Sequence, residues 1–485
     1  MVLAMRKGVW RAVSLGALLG SAAVASGCAD IESTDPSGTT TETALPGPSE
    51  WNRDVTAPPD AEAADKRDSC EYKAGMLPAE TQGESRPNGK EIPVEHVLVM
   101  MMENRSFDHY FQKLPEYGQP DVEVAPPGFA NPGVDGEPVP IFHDTSYCFV
   151  DTNHGWGAVH QQVNAGAMDG FFATNEGHHD VPVNGTLDMI SGARAMGYYD
   201  ATDLPFYYWL ANEFSIADHY HASVLGPTFP NRMYLYAASS LGNTYNTIAE
   251  ADATLVDYLE ERQIDWKIYA TGTPGFAIFI STHLKYAEEH LRSIDDYFAD
   301  AAAGTLPQFA FIDPNIGRDG VDTDDEHPPA MAPIGEALVA SVVDALAKSP
   351  NWKDSALFLT YDEHGGLFDH VVPPKACPPD DLPLKVAPGD PEVPFDQLGI
   401  RVPMMVISPY AKKHHVSHAV YDHTSIVRFV EAKFVMPALS NRDANALAPW
   451  DMFDFDAAPH ATPPEVTIPT VDADKLAACK AIFEK

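Results

Sequence analysis

Val97-Leu98-Val99-Met100-Met101-Met102-Glu103-Asn104 is a run of six apolar residues that stops on a carboxylate and an amide. A continuous apolar run, with no polar alternation, fits a strand covered on both faces, as the strands of parallel sheets are. The pattern returns at Leu357-Phe358-Leu359-Thr360-Tyr361-Asp362-Glu363, where a second such run ends on two acids. Working outward from these, Val94–Met102, Phe309–Ile312, Ser355–Tyr361 and Val402–Ile407 read as strands. Between and around them, Asp203–Phe214, Arg232–Ser239, Leu255–Glu261, Ala330–Ala347 and Thr424–Phe434 show helix-compatible spacing, and Trp156–Met168 a less regular one. Strands alternating with helices predict an α/β domain with a mainly parallel central sheet and helices on both faces.

Chemistry is expected where strands end, because ligands of open α/β sheets gather at the carboxyl edge. Two separate strands would deliver Glu103, Asn104, Asp362 and Glu363 to that edge. Three carboxylates and an amide oxygen repel one another unless a cation sits among them, which points to a hard divalent ion. The bland alternative is that each acidic pair simply faces water. Gly226-Pro227-Thr228-Phe229-Pro230-Asn231-Arg232 reads as a Pro-punctuated turn before a helix starting near Asn231. Thr228 there is either a cap or a nucleophile activated by a metal and by helix amides. His154, His327 and His423 are the proton-transfer candidates. Carboxylates adjoin His327 and His423, and negative charge raises a histidine pKa and keeps an acid available. The doublets His178-His179 and His414-His415 read as loop residues.

Of 485 residues, 31 are Lys or Arg and 70 are Asp or Glu, for a formal net charge of −39. That balance excludes nucleic acid as a partner, since phosphate backbones need basic residues to release their counterions. It also disfavours adhesion to anionic membranes. With 45% hydrophobic residues the chain has ample material for a core.

Residues 1–28 read as an export signal: Arg6, Lys7 and Arg11, then an apolar run from Ala12 to Val24, then Ala25-Ser26-Gly27-Cys28. Small residues before a cysteine resemble the bacterial lipobox, so Cys28 is the expected site of a lipid anchor in the cell envelope. Residues 29–90, rich in Thr, Ser, Pro and acids, read as a flexible tether, and 91–485 as the catalytic domain. The tether holds 13 acids and 6 bases, so most of the acidity belongs to the domain. Besides Cys28 there are Cys70, Cys148, Cys377 and Cys479, enough for two disulfides with three possible pairings. The Pro-rich stretch 372–395 reads as a surface excursion that Cys377 could pin.

Glu103-Asn104-Arg105-Ser106-Phe107-Asp108-His109-Tyr110-Phe111 resembles the first signature of the bacterial phosphoesterase family. This family holds phospholipases C and acid phosphatases within the alkaline phosphatase superfamily. Further matches follow in order: Asp151–Trp156, Gly166–Phe171, Gly226–Arg232, Asp325–Pro328, Thr360–His370, Ser408-Pro409-Tyr410 and Asp422-His423-Thr424-Ser425. The resemblance implies an alkaline-phosphatase-like fold and one divalent metal ion, with Ca, Mg, Mn and Zn all open. It implies that Glu103, Asn104, Asp362 and Glu363 hold the metal together with Thr228, which forms a phosphothreonine intermediate. It places His154 and His327 around the phosphate, while His423 and His283 match less closely. The lipoprotein-type start and the short stretch after the last motif differ from the larger choline-lipid-cleaving members. The expected function is an exported, lipid-anchored, metal-dependent phosphoesterase of phospholipase C type acting on a phosphate-ester or phospholipid substrate. The alternatives are an acid phosphatase of the same family, or a surface lipoprotein without catalysis. The acidic surface leads to the expectation that any lipid substrate is zwitterionic or soluble.

Overall fold

The computed structural model describes residues 48–179, 187–274, 280–317 and 320–483. The expected signal, Cys28 and the first part of the expected tether lie outside these residues. The main sheet is built from β1 (His96–Met102), β2 (Ser215–Ala217), β3 (Trp266–Ala270), β4 (Leu291–Ser293), β5 (Phe309–Asp313), β6 (Ser355–Tyr361), β7 (Met404–Ile407) and β8 (His415–Ser417). Their order across the sheet is β8-β2-β7-β6-β1-β5-β3-β4. Only β7 runs against its neighbours, pairing antiparallel with both β6 and β2, while the other pairs are parallel. Every residue of β6 is buried, so both of its faces are covered, as the unbroken apolar run requires.

The principal helices are α1 (Asp60–Asp68), α2 (Phe107–Phe111), α3 (Trp156–Val163), α4 (Pro205–Glu213), α5 (Thr228–Ala237), α6 (Leu255–Glu261), α7 (Ile294–Ala303), α8 (Ala332–Lys348), α9 (His423–Phe434) and α10 (Ala473–Phe483). One continuous core takes Val97–Met102 of β1 and Leu357–Leu359 of β6 together with Val339, Val343 and Leu346 of α8 and Ile426, Phe429 and Val430 of α9. Each such side chain contributes about 1.5–3 kcal/mol on leaving water, which holds the strand ends rigidly in place.

Three features differ from expectation. Helix α5 starts at Thr228 rather than near Asn231. Pro230 falls in its first turn, where an amide has no intrahelical acceptor and its absence costs nothing. Helix α3 stops at Val163, because Asn164 turns left-handed with φ of +42°. Residues 48–90 are folded rather than a tether. Trp51, Ala63 and Leu77 are buried, and the Trp51 ring lies 4.8 Å from Tyr258 of α6. Cys70 is bonded to Cys377, fastening this segment to the Pro-rich excursion, and Cys148 is bonded to Cys479 of α10.

Candidate active site

β1 and β6 are paired in register to their last residues, Met102 opposite Tyr361. Glu103-Asn104 and Asp362-Glu363 therefore leave the sheet side by side. The Asp362 carboxylate ties the two exits together, its Oδ1 accepting the amide of Asn104 at 3.1 Å and that of Glu363 at 2.7 Å. Asn104 sits at φ of +62°, a left-handed conformation that asparagine tolerates better than most residues. Gly365, also left-handed, must be glycine, since a Cβ there would lie 2.4 Å from the carbonyl oxygen of Asn104.

Arg232 of α5 closes the cluster from below. It is fully buried, its Nε 3.0 Å from Asp362 Oδ2 and its Nη2 3.8 Å from Glu103 Oε2. Thr228 precedes it by four residues, one turn earlier on the same helix face, and is the hydroxyl-bearing first residue of α5. Its position also gives it the amide-rich, electropositive end of the helix.

Two histidines approach from loops. His154 presents Nδ1 to the carbonyl of Thr152 at 2.7 Å, and His327 presents Nδ1 to that of Pro328 at 2.7 Å. Their rings are 5.7 Å apart, with Asp151 between them, 3.9 Å from His154 Nδ1 and 3.7 Å from His327 Nε2. Bonding of each Nδ1 to a carbonyl fixes the tautomer and leaves Nε2 for chemistry. Burial lowers the His327 pKa, but Asp151, Glu103 and Asp325 outweigh it and push it up to about 10. Burial likewise opposes a charge on His154, and Glu363 and Asp151 overcome it, so this ring too titrates above its ordinary value.

The carboxyls feel the converse. Burial and Asp362 push Glu103 up, burial pushes Glu363 up to about 8 against the pull of His154, and burial with Glu103 pushes Asp325 up to about 8. This is a site with more negative charge than its own cations balance. Glu103 Oε2, Asn104 Oδ1 and Glu363 Oε1 are buried and accept no hydrogen bond. Such oxygens are costly unless something coordinates them, and a set made only of oxygen suits a hard divalent cation. Asp362 differs from its neighbours, because both of its oxygens already accept hydrogen bonds from the chain. Asp151, His154 and His327 form another group whose ligand atoms lie within 4.8 Å of one another. Asp108, Asp369 and His370 also converge, but Arg401 supplies that group's positive charge, 2.9 Å from each aspartate.

His423 stands behind the site and not in it. Its Nε2 is 2.8 Å from the carbonyl oxygen of Asp362 and its Nδ1 is 2.9 Å from the hydroxyl of Tyr220, so both ring nitrogens are engaged. Burial holds its pKa below the ordinary value, which suits a neutral strut for Asp362 and not an acid. His283 packs edge-on against Tyr236 of α5, 5.9 Å between rings. Arg232, Asp151 and Asp325 were not singled out by sequence. The spacing of four from Thr228 to Arg232 is the signal that could have found the first, had the helix start been recognised.

The sequence profile of the Phosphoesterase family matches residues 94–437. Non-specific phospholipase C6 of Arabidopsis thaliana is 31% identical over 402 residues, covering 78% of this chain and 75% of its own. Phospholipase C A of Mycobacterium tuberculosis is 29% identical over 457 residues, covering 81% and 83%. Among solved structures, an alkaline phosphatase superfamily protein from Vibrio parahaemolyticus aligns at a TM-score of 0.33 and 10% identity, covering 71% of this chain and 82% of its own. With the profile spanning most of the domain and every strand-end motif inside it, the chain belongs to the Phosphoesterase family.

Proposed function

We propose that this hydrolase of phosphoric ester bonds cuts phospholipids in the manner of a phospholipase C, with Thr228 as nucleophile. The observation that carries the reading is the in-register exit of β1 and β6, which brings together three buried oxygens that accept no hydrogen bond, with Arg232 of the Thr228 helix reaching Glu103 and Asp362 in the same cluster. Glu103, Asn104 and Glu363 would hold the divalent cation, with Asp362 and Thr228 completing the set. A cation bound there would lower the pKa of the threonine hydroxyl and neutralise charge on the phosphoryl oxygens.

Thr228 Oγ1 attacks phosphorus in line, forming a new P–O bond as the P–O bond to the departing glycerol oxygen breaks. The Thr228 hydroxyl proton passes to bulk water in this step, the one proton that the overall hydrolysis releases. His327, held protonated by its three acidic neighbours, donates a proton to the departing oxygen. Water then attacks the phosphothreonine, regenerating the hydroxyl and the imidazolium and releasing the phosphorylated headgroup. His154 and the α5 amides orient the phosphoryl oxygens throughout. Because the positive field is local, no basic surface is needed, which reconciles a net charge of −39 with an anionic substrate.

Export and anchoring through Cys28 belong to the same proposal. Two disulfides favour an oxidising compartment. Among the described residues no helix is long and apolar enough to cross a membrane.

The test is Thr228→Ala, assayed on p-nitrophenyl phosphate and p-nitrophenyl phosphorylcholine with and without chelator. Loss of the nucleophile should cost on the order of 10³-fold or more on whichever ester the wild type prefers. That preference separates phospholipase C from phosphomonoesterase. Turnover within tenfold of wild type, or full activity in chelator, would refute the assignment.

A further inference from the structure

An apolar apron is fastened to the first turn of helix α5, at the residue after Thr228. The amide of Phe229 donates to Asn246 Oδ1 at 2.9 Å, so the loop 241–249 rests on the nucleophile's own helix end. On one side this loop pairs with the Pro-rich excursion, Lys385 N donating to Gly242 O at 2.7 Å and Thr244 N to Lys385 O at 3.3 Å. On the other it meets the segment 280–286, Ser281 N donating to Ala249 O at 2.9 Å. Three chain segments thus lie edge to edge next to the candidate site. They carry four large apolar side chains that face water: Ile248 at 62% exposure, Leu284 at 59%, Leu382 at 46% and Tyr245 at 38%.

Resting on the phospholipase C reading above, we infer that this apron is the surface by which the enzyme docks onto a bilayer rich in choline phospholipid. Apolar side chains clustered at the mouth of a site cost free energy in water and recover it on entering an acyl boundary. A lipid's phosphorus can reach Thr228 only if the protein sits at the headgroup level, and this apron is the exposed apolar feature joined directly to that helix. Charge selects the lipid. Two cations of these segments are committed to the protein, Lys285 to Asp257 at 2.7 Å and Lys385 to the carbonyl of Leu241 at 2.9 Å, while Lys375 at the start of the excursion is exposed. Around them Glu250, Asp252, Glu288, Glu289 and Asp381 are exposed. Acids at the rim repel anionic headgroups and match the trimethylammonium groups that form the outermost layer of a phosphatidylcholine surface.

The experiment compares wild type with Ile248→Asp, Leu284→Asp and the double variant, all carrying Cys28→Ser so that the proposed anchor does not itself hold the protein to vesicles. Readouts are co-sedimentation with phosphatidylcholine and phosphatidylglycerol vesicles, hydrolysis of vesicle phosphatidylcholine, hydrolysis of soluble p-nitrophenyl phosphorylcholine, and light scattering for self-association. Wild type should sediment with phosphatidylcholine vesicles in preference to phosphatidylglycerol. The double variant should lose about tenfold or more in vesicle partitioning and in vesicle hydrolysis, while soluble turnover stays within twofold. Failure of wild type to bind phosphatidylcholine, unchanged binding by the double variant, or a dimer that the substitutions dissolve without changing vesicle binding would each overturn the inference. If wild type binds vesicles through the apron but hydrolyses neither ester, the phospholipase reading falls and the docking surface stands.

Discussion

Replacing Glu326 takes away an acceptor shared by three buried tyrosines. Its Oε2 accepts from Tyr110 and, at 2.8 Å, from Tyr361, and its Oε1 accepts from Tyr207 at 2.5 Å. Tyr361 is the last residue of β6, and Glu326 immediately precedes His327, so the cage braces both halves of the site. Glu326→Ala would take the shared acceptor from three buried hydroxyls, of which Tyr207 and Tyr361 keep only their bond to each other, at about 1–3 kcal/mol for each group left unsatisfied, a large part of the roughly 5–15 kcal/mol that stabilises a domain. That variant is expected to be unfolded or nearly so. Glu326→Gln keeps an acceptor and gives the sharper measurement. Burial pushes the Glu326 carboxyl from 4.5 up to about 7, although the tyrosines pull the other way. The native state therefore retains a proton that the unfolded chain has released. The stability this contributes is complete below about pH 4.5 and is lost as pH rises through 7. Between pH 5 and pH 8 the loss amounts to about 2–3 kcal/mol, and glutamine, which does not titrate, should not suffer it. Guanidinium denaturation of both proteins at the two pH values should show the variant gaining on wild type by that amount. A gap that is the same at pH 5 and pH 8 would refute the reasoning.

Two further substitutions probe the frame of the site. Arg232→Met breaks a fully buried ion pair with Asp362 and also removes the donor to the Met102 carbonyl, so it should cost about 3–5 kcal/mol by denaturant titration. Arg232→Lys should restore only part of this, because an ammonium cannot reproduce the guanidinium fork. Replacing Cys148 and Cys479 together by serine opens a closure between residues 331 positions apart and should cost about 2–5 kcal/mol. A change below about 0.5 kcal/mol in the same assay would show that packing alone holds α10.

The strand ends could be read in advance because a strand buried on both faces must be apolar throughout, so the acids at Glu103 and Asp362 stand out as abrupt stops. That they meet could not be read, since pairing of β1 with β6 is a long-range choice that depends on all the other strands. The short strands β2, β3, β4 and β8 gave no comparable signal. Three of them span 3 residues and Lys267 interrupts the fourth, so none presents an unbroken apolar run. Pro230 concealed the true start of α5, and with it the Thr228–Arg232 face. Composition mistook residues 48–90 for a tether because their few apolar residues, Trp51 and Leu77 among them, are widely spaced and find their partners in distant segments. His423 shows the limit of reading a histidine from its neighbours: the carboxylate at Asp422 suggested an acid, whereas burial made the ring a neutral strut.

The shared register of β1 and β6 has a consequence for how this enzyme can diverge. Asn104 and Asp362, joined by a hydrogen bond, are 258 positions apart in the chain. Side chains alternate across a strand, so inserting or deleting one residue in either strand would turn its terminal acid to the opposite side of the sheet. The acid cluster is thus an all-or-none object: it cannot be widened by small adjustment and is either assembled or abolished. Drift in headgroup preference is left to the segments at 241–249 and 372–395, where length can vary without disturbing that coincidence.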